Sequence, residues 1–448
     1  MERLKQEADP MNLLNPGVLI NPDGQAHIQH LKALPRVEEE VDKCIECGFC
    51  EYKCPSRDLT MTPRRRIVAR RELALMQEKG QQEDYKTLLQ QYSYEGLSTC
   101  AVDGLCAEAC PVSINTGTLV KRLRNENHSK GANRMAMTVA KHFGKVALGV
   151  SAGVRSATVV NKLLGRNAVL RLTKGVKKII PATPLWSNQV IPSSMGQARK
   201  LAGATQGEQT VVYFTTCINR TMGGSAVHKK NMAETLVSIA TKSGIRLVIP
   251  DSLNSACCGQ IFSSKGFTQA FEHTANDTIE RLWKWTQEGK WPVVLDISSC
   301  TYTLQHCRPQ LTPVNRQKFD ALTILDSIDF IADYVLPVAQ VRTMKQSIAL
   351  HPVCTMQKTG QEGKFLQIAK RLARDVKVPV HAGCCGMAGD RGFLFPELTR
   401  SATLQEAQEV NQCSYEGYYS SSKTCEIALS EATGKNYESI VYLLDECM

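Results

Sequence analysis

The chain contains two cysteine runs with the spacing of iron–sulfur cluster ligands. The first run, residues 44–55, places Cys44, Cys47, Cys50 and Cys54 in the order C-x2-C-x2-C-x3-C-P. Three thiolates spaced in this way wrap one face of a cubane, and the fourth, followed by proline, binds the other cluster of a pair. The first run therefore predicts two clusters and a second run of ligands.

That second run, residues 100–111, keeps the frame but has an aspartate where the middle cysteine belongs. Its candidate iron ligands are Cys100, Asp103, Cys106 and Cys110. Because the fourth cysteine of each run binds the other cluster, one cubane is expected on the first three cysteines of the first run together with Cys110. The other is expected on Cys100 and Cys106 with Cys54, which leaves Asp103 as the candidate fourth ligand.

Asp103 leaves two alternatives open for the second cluster. A carboxylate is a harder ligand than a thiolate, so it binds iron less covalently and that iron is easier to lose or exchange. The second site is then an Asp-ligated four-iron cluster, which we favour, or a three-iron cluster. A pair of zinc sites is the other interpretation of both runs, but zinc prefers two separated cysteine pairs.

A helix is predicted between the two runs. Thr62 is a suitable N-cap, Pro63 suits the first helical position, and residues 64–79 carry apolar side chains among arginines. Residues 36–125 are therefore expected to form an α-helical, two-cluster ferredoxin-like unit.

The C-terminal half contains an internal repeat. In each copy a single cysteine, a Cys-Cys-Gly triplet and a final cysteine follow one another in the same order and at similar spacing. The first copy consists of Cys217, Cys257, Cys258 and Cys300, and the second of Cys354, Cys384, Cys385 and Cys425. A repeat of this kind predicts two copies of one domain. Cys307, Cys413 and Cys447 fit neither set and are expected to be ordinary cysteines.

Short β-branched runs precede most of these cysteines, and helical stretches such as 226–242 and 363–374 separate them. The predicted strands are 211–214, 247–249, 293–297, 348–350 and 376–380. This alternation predicts α/β units with parallel strands. Sites in open α/β sheets lie at the carboxyl ends of the strands, so each set of cysteines should converge on one sheet edge. The fold class is therefore mixed, a helical ferredoxin-like unit followed by a duplicated α/β half.

Cys…Cys-Cys-Gly…Cys, present twice, resembles the cysteine-rich CCG domain found in heterodisulfide reductase, in the glycolate oxidase iron–sulfur subunit and in the anaerobic glycerol-3-phosphate dehydrogenase. In the heterodisulfide reductase pattern the last cysteine begins a Cys-x-x-Cys pair, whereas here Thr303 follows Cys300 and Ala428 follows Cys425. The resemblance implies a second metal or redox site in these copies. A bound cluster, a disulfide and simple thiol packing remain open.

Residues 9–18, Asp-Pro-Met-Asn-Leu-Leu-Asn-Pro-Gly-Val, resemble the closing segment of FAD-linked oxidases of the vanillyl-alcohol-oxidase type. With the two-cluster unit and the CCG copies, the order is similar to that of fused bacterial D-lactate or D-2-hydroxyacid dehydrogenases. The resemblance implies a C-terminal portion of a longer flavoprotein or a split-gene product; an ordinary N-terminal tail is the alternative.

The expected domains are an oxidase tail and linker (1–35), the ferredoxin-like unit (36–125), a basic helical linker (126–205) and CCG domains 1 (206–335) and 2 (336–448).

Positive charge is concentrated in one segment. The 448-residue chain has a net charge of +11, and residues 121–200 hold sixteen lysines and arginines against the single acid Glu126. Apolar residues recur at helical spacing from Val139 to Val154, and residues 159–172 show a similar pattern. The segment is expected either to lie on anionic lipid or to pack its basic face on a partner. Nucleic acid is not an expected partner, because neither an aromatic platform nor a binding motif accompanies the charge.

The family resemblance implies that FAD on a missing domain or partner oxidises a D-2-hydroxy acid, with electrons passing through this chain to a quinone or cytochrome. No catalytic residue is expected in the chain itself. We expect a reducing, cytoplasmic location, and peripheral membrane contact through residues 121–200 if that segment lies on lipid rather than on a partner. His351 and His381 adjoin the CCG strands and are expected to be structural or to tune the acceptor site. The rival interpretations are an iron–sulfur subunit for glycolate or glycerol-3-phosphate oxidation and a non-enzymatic redox-sensing or assembly protein.

Overall fold

A helical N-terminal unit precedes two small parallel sheets. The coordinates are those of a computed structural model, which describes residues 1–18, 20–29, 34–204, 207 and 209–448. The N-terminal unit contains five helices, α1 (Glu2–Ala8), α2 (Pro63–Glu78), α3 (Gln82–Tyr92), α4 (Leu105–Glu108) and α5 (Thr116–Glu126), with a π-helical turn at Ser93–Ser98. The helix predicted between the cysteine runs is α2, and Thr62 Oγ1 caps it by accepting from the Arg65 N–H at 3.4 Å.

The basic segment forms an arm of helices. These are α6 (Lys130–Lys141), α7 (Phe143–Leu164), α8 (Ala168–Ile179) and α9 (Gly196–Ala204). The predicted apolar stripe is interrupted at His142, between α6 and α7, and the second predicted stretch is interrupted at Gly165, whose φ of +98° ends α7. Of that stripe, Val154 enters the main core, whereas Val146 and Val150 stay exposed. The arm therefore keeps much of its apolar surface outside the core.

The first α/β copy is built on a four-stranded parallel sheet. Its strands are β1 (Gln209–Phe214), β2 (Ile245–Val248), β3 (Val293–Leu295) and β4 (Ile324–Asp326), in the spatial order β2-β1-β3-β4. Residues 211–214 are all buried, as expected for a strand covered on both faces. The helices are α10 (Cys217–Met222), α11 (Met232–Lys242), α12 (Gln260–Lys265), α13 (Thr268–Trp285), α14 (Ser298–Gln305), α15 (Pro313–Asp320) and α16 (Ser327–Phe330), with short turns at Asp251–Ser255, Arg308–Gln310 and Ile331–Val335.

The second copy repeats this topology. Its strands β5 (Lys345–Leu350), β6 (Ala373–Lys377), β7 (Gly417–Ser420) and β8 (Tyr437–Ser439) lie in the order β6-β5-β7-β8. Its helices are α17 (Cys354–Thr359), α18 (Glu362–Leu372), α19 (Arg391–Leu394), α20 (Pro396–Asn411), α21 (Lys423–Thr433) and α22 (Ile440–Cys447). The identical order of strands confirms the duplicated α/β half predicted from the cysteines.

One hydrophobic core joins the two copies. It includes Tyr213 of the first sheet and Leu350 of the second, with Leu236 on α11 and Leu443 on α22 between them. Helices α11 and α22 pack on each other, so the sheets are held as one unit. The N-terminal unit lies against both copies, with α4 on α17 and α5 on α12. This packing places the second cysteine run beside the cysteine edge of the second sheet.

Several element bounds differ from those predicted. The helix expected over 226–242 begins at Met232, because Asn231 forms a capping box with Glu234. The strand expected over 376–380 is Ala373–Lys377, so its pairing with β5 begins earlier. Strands β4, β7 and β8 were not predicted.

Candidate iron–sulfur sites

The first candidate site, site I, lies at the surface of the N-terminal unit. Cys44, Cys47 and Cys50 come from one loop, and Cys110 comes from the end of the second run. The four thiols line one small cavity of about 30 Å³. Gly48 turns this loop with a φ of +87°, a conformation that glycine adopts without steric cost. The structure therefore brings together the four residues that the crossed arrangement assigns to the first cubane.

The surroundings of site I are exposed but balanced in charge. Burial raises the pKa of the Cys50 thiol to about 11, so metal binding there has to release a proton. Arg71 Nη1 donates to Glu46 Oε1 at 2.7 Å, and Arg64 pairs with Glu51 at 3.2 Å. Apolar side chains that face solvent surround the loop, namely Ile45 (67% exposed), Phe49 (61%) and Tyr52 (60%).

The second candidate site, site II, is buried. Cys54, Cys100 and Cys106 are each less than 10% exposed, and the fully buried Arg66 lies beside them. The Arg66 guanidinium contacts Cys54 Sγ at 3.6 Å and donates to Ser56 Oγ at 2.9 Å and to the Gly96 carbonyl at 2.7 Å. Burial raises the pKa of the Cys106 thiol to about 12.

Asp103, the fourth residue predicted for site II, lies between this site and the second α/β copy. Its Oδ1 accepts from the Leu105 N–H at 3.1 Å, Oδ2 is shielded from solvent, and the Cys384 thiol is a hydrogen-bond partner of the carboxyl group. Burial raises the pKa of this carboxyl group. The Cys384 thiol packs beside it. Asp103 also lies near the Cys106 thiol, whose pKa its charge raises, so it is placed as a candidate fourth ligand of site II.

Four cations surround site II without carboxylate partners. They are Arg66, Lys121, Arg124 and Arg391, and within the described part of the chain none of them forms an ion pair. Arg124 donates instead to the carbonyls of Leu97 at 2.5 Å and Cys100 at 2.8 Å. Burial lowers the pKa of Arg124 to about 9 and that of Lys121 to about 8. Uncompensated buried charge is costly, so these residues fit a bound group of net negative charge, such as a thiolate-ligated cluster.

The cysteines of the second copy converge as predicted. Cys354 begins α17 after β5, Cys384 and Cys385 follow β6, and Cys425 lies on α21 after β7. The Sγ atoms of Cys385 and Cys425 are 3.0 Å apart, and this hydrogen bond lowers the pKa of Cys385. All four residues line a cavity of about 450 Å³.

His351 supports this second set from the end of β5. The imidazole is fully buried, and its Nδ1 lies 2.7 Å from Glu406 Oε1. Nε2 is shielded from solvent and has no partner among the described residues. Burial opposes protonation, but Glu406 and the neighbouring Cys385 and Cys354 raise the pKa of His351. A carboxylate that fixes one ring nitrogen and leaves the other free is the usual arrangement behind a metal-site histidine.

The cysteines of the first copy form a set of similar burial, with Cys217 partly exposed and the other three buried. Cys217 begins α10, the Cys257–Cys258 pair precedes α12, and Cys300 lies on α14. Neighbouring thiols hydrogen-bond in series, from Cys217 through Cys257 and Cys258 to Cys300. This set is outside the lining of the 450 Å³ cavity.

Several features of these sites were not predicted. The arginine-rich pattern of α2 did not reveal that Arg66 is buried, since Arg64 and Arg65 beside it face outward. In the described residues no three His, Cys, Asp or Glu side chains converge on a point suited to a single metal ion. Cys307 and Cys447 are buried and Cys413 is exposed, away from the spaced sets.

Comparisons with known proteins identify the domains that carry these cysteines. The 4Fe-4S dicluster domain family matches residues 40–114, and the cysteine-rich (CCG) domain family matches residues 211–305 and 348–430. The chain is 23% identical to the probable glycolate oxidase iron-sulfur subunit of Bacillus subtilis, over 81% of this chain and 82% of that protein. It is 21% identical to one subunit of the anaerobic glycerol-3-phosphate dehydrogenase of Escherichia coli, over 44% of this chain and 52% of that protein.

A third relative is an uncharacterised iron-sulfur protein of Methanocaldococcus jannaschii, 22% identical over 79% of this chain. The match spans only 60% of that protein's length. The two domain matches confirm the ferredoxin-like unit and both CCG copies that the cysteine spacing predicted. The chain is thus an iron–sulfur protein in which a 4Fe-4S dicluster domain precedes two cysteine-rich CCG domains, similar to the iron–sulfur subunits of glycolate oxidase.

Proposed function

We propose that the chain is the electron-transfer portion of a flavin-dependent D-2-hydroxyacid dehydrogenase, with D-lactate as the substrate. Its residues carry electrons from a flavoprotein to a quinone or cytochrome. When bound, four-iron clusters accept and release one electron at a time, and hydrogen bonds, charge and exposure set their potentials. The observation that carries the proposal is that Asp103 and Cys384 line the same cavity and that the Cys384 thiol is a hydrogen-bond partner of the Asp103 carboxyl group, which joins site II to the second CCG set.

The cysteines then form a continuous route. Site I takes Cys44, Cys47, Cys50 and Cys110, and site II takes Cys54, Cys100 and Cys106 with Asp103. The two runs are interleaved, so the sites share one small core around Cys44, Cys100 and Cys110. From site II the route continues to Cys384, which also shares a second cavity with Cys54. The second CCG set (Cys354, Cys384, Cys385 and Cys425) is the exit, and the first (Cys217, Cys257, Cys258 and Cys300) is a closed redox or metal site.

Site I is the proposed entry point for electrons from FAD. It is the more exposed site, and the solvent-facing side chains of Ile45, Phe49 and Tyr52 provide an apolar contact surface beside its thiols. Residues 9–18 provide a second contact. Their apolar members Leu13, Leu14 and Val18 are each about 70% exposed, as expected for a segment that completes a flavin domain.

The basic arm is proposed to rest on anionic lipid. Apolar side chains on α7 and α8 point to solvent, and Leu163, Leu164 and Ile179 are each at least 75% exposed. Lys162, Lys174 and other basic residues lie among them. Basic and apolar side chains together suit the interface of an acidic membrane. Among the described helices none is long and apolar enough to cross a bilayer.

Purification of the chain with its partner from its own cells tests the function. The complex should contain FAD, and D-lactate should bleach the iron–sulfur absorbance faster than glycolate or glycerol-3-phosphate does. Faster bleaching by glycolate or glycerol-3-phosphate would favour the corresponding dehydrogenase instead. Isolation without any flavoprotein, and cluster spectra that respond only to oxygen, would favour a sensing or assembly protein.

A further inference from the structure

Site I and site II differ in the charge that surrounds them. At site I the arginines have carboxylate partners, since Arg71 pairs with Glu46 and Arg64 pairs with Glu51. The Cys47 thiol of this site also faces solvent, which screens charge. At site II the four cations described above form no ion pair within the described part of the chain. The field of the protein is therefore close to balanced at site I and positive at site II.

The four cations converge on one candidate ligand of site II. A thiolate at Cys100 attracts all of them, namely Arg66, Lys121, Arg124 and Arg391. Hydrogen bonds fix two of them beside its backbone, because Arg124 donates to the Cys100 carbonyl at 2.8 Å and Arg391 donates to the Ser98 carbonyl at 2.5 Å. The positive charge is thus held at site II by the fold and is not spread over the surface.

Arg391 reaches site II from another domain. It begins α19 in the second CCG copy and is only 9% exposed. Its guanidinium lies 5.6 Å from the centre of the Phe395 ring. The adjacent carboxylate, Asp390, pairs with Lys265 at 2.9 Å, so it offsets the charge of Arg391 only in part. Packing of the second CCG copy on the N-terminal unit therefore adds one positive charge to site II.

We propose that these cations hold the reduction potential of site II above that of site I, and that the second CCG copy contributes to this difference through Arg391. The inference rests on the proposed function and gives its electron route a direction. One electron leaves site I, which is oxidised, and enters site II, which is reduced, with a favourable free energy.

Two effects of burial oppose each other at site II. Burial alone disfavours reduction, because added negative charge is poorly solvated there. The same low polarity strengthens the attraction between that charge and nearby cations. Asp103 leaves the ligand charge equal at the two sites, since a carboxylate carries the same charge as the thiolate that it replaces. With four unpaired cations at site II and paired arginines at site I, the attraction outweighs the burial.

The test measures the midpoint potential of each cluster by EPR during a mediator titration of the anaerobically reconstituted full chain. Cys47→Ser and Cys100→Ser assign the signals to site I and site II. In wild type the site II signal should appear at the higher potential. Arg391→Met should lower the equilibrium constant for transfer from site I to site II by about tenfold, or about 59 mV for one electron, through the site II potential alone. Arg391→Lys should retain most of the wild-type difference.

Two matched variants and the iron content complete the experiment. Arg371→Met, at an exposed arginine on α18 of the same CCG copy, should leave both potentials unchanged. Lys121→Met should lower the site II potential, as Arg391→Met does. If Arg391→Met loses iron, Lys121→Met carries the test, because its ammonium group donates to Ser263 at 3.1 Å and not to the second cysteine run.

A wild-type site II potential at or below that of site I would overturn the proposal. So would a site II potential that stays unchanged when either Arg391 or Lys121 becomes methionine in a chain with full iron content. Chemical mediators set these potentials, so the measurement is independent of any flavoprotein. Clusters that mediators reduce, but that D-lactate with the flavoprotein does not, would overturn the proposed function and leave the order of potentials in place.

Discussion

Replacing Lys121 with methionine is expected to stabilise the cluster-free chain. Methionine has a similar length and no charge, so it keeps the packing and removes the partly buried ammonium group. Burial first, then repulsion by Lys358 and Arg124, lowers the pKa of Lys121 from 10.5 to about 8. At 1.36 kcal/mol for each pKa unit, the charged form costs the folded state about 3 kcal/mol. The variant also loses the hydrogen bond to Ser263, which lowers its stability by about 1 kcal/mol. The net increase in the free energy of unfolding is therefore about 2 kcal/mol.

The lowered pKa of Lys121 also predicts how the difference in stability changes with pH. Because the pKa of Lys121 is lower in the folded chain, the unfolded chain binds more protons between about pH 8 and pH 10.5. The free energy of unfolding contributed by Lys121 therefore rises with pH through this window, and the penalty is complete below about pH 8. The advantage of Lys121→Met should be largest near neutral pH and should give way to a disadvantage of about 1 kcal/mol by pH 10.5, where only the lost hydrogen bond to Ser263 remains.

Urea unfolding of the cluster-free wild type and Lys121→Met at several pH values in this range measures the difference. Lys229→Met is the control for loss of one exposed lysine and should show little change. In the cluster-loaded chain the advantage should shrink or reverse, because the negative charge of the bound group offsets the ammonium. A Lys121→Met chain that is less stable than wild type near neutral pH, or a difference that is constant with pH, would refute the reasoning.

Three further predictions concern individual residues. Asp103→Cys should give site II a fourth thiolate and therefore a changed EPR spectrum and midpoint potential; an unchanged spectrum and potential would show that Asp103 is no ligand. His351→Gln should shift the midpoint potential of the second CCG site while iron content stays constant, because Nε2 is the only ring nitrogen left free by Glu406; the same potential in both chains would make His351 structural. Leu163→Glu with Leu164→Glu should abolish co-sedimentation with vesicles rich in phosphatidylglycerol; retained binding would show that these leucines do not contact lipid, and a wild-type chain that fails to co-sediment would place the arm on a protein instead.

Local spacing was sufficient to predict the ferredoxin-like unit and the duplicated CCG half. The interval between Cys44, Cys47 and Cys50 follows from how a loop wraps a cubane, and the repeated Cys-Cys-Gly follows from the same strand-to-helix turn in both copies. Thr62 and Pro63 likewise predicted the start of α2, because helix capping depends only on residues within the first turn. Strand β7 was missed because Gly417–Ser420 has no β-branched residue and is specified by its pairing with β5.

Contacts between distant segments could not be predicted in this way. Asp103 meets Cys384, and Lys121 faces Lys358, only after the N-terminal unit packs on the second copy. The burial of Arg66 depends on contacts within the N-terminal unit, where its guanidinium reaches Cys54, Ser56 and Gly96, although an arginine on a helix usually reaches solvent. The sequence predicted the apolar stripe from Val139 to Val154. Which of its side chains are buried depends on the neighbouring elements of the fold, which the spacing does not specify.

Iron and sulfide content with EPR tests the central claim most directly. The anaerobically reconstituted wild-type chain, Cys47→Ser and Cys100→Ser are measured side by side, with Cys413→Ser, at an exposed cysteine outside the sets, as control. The ferredoxin-like unit should hold about eight irons, or about seven if site II holds a three-iron cluster. Each site variant should lose the EPR signal of one cluster and keep the other, and Cys413→Ser should match wild type. Zinc in place of iron, or spectra unchanged in both site variants, would contradict the assignment.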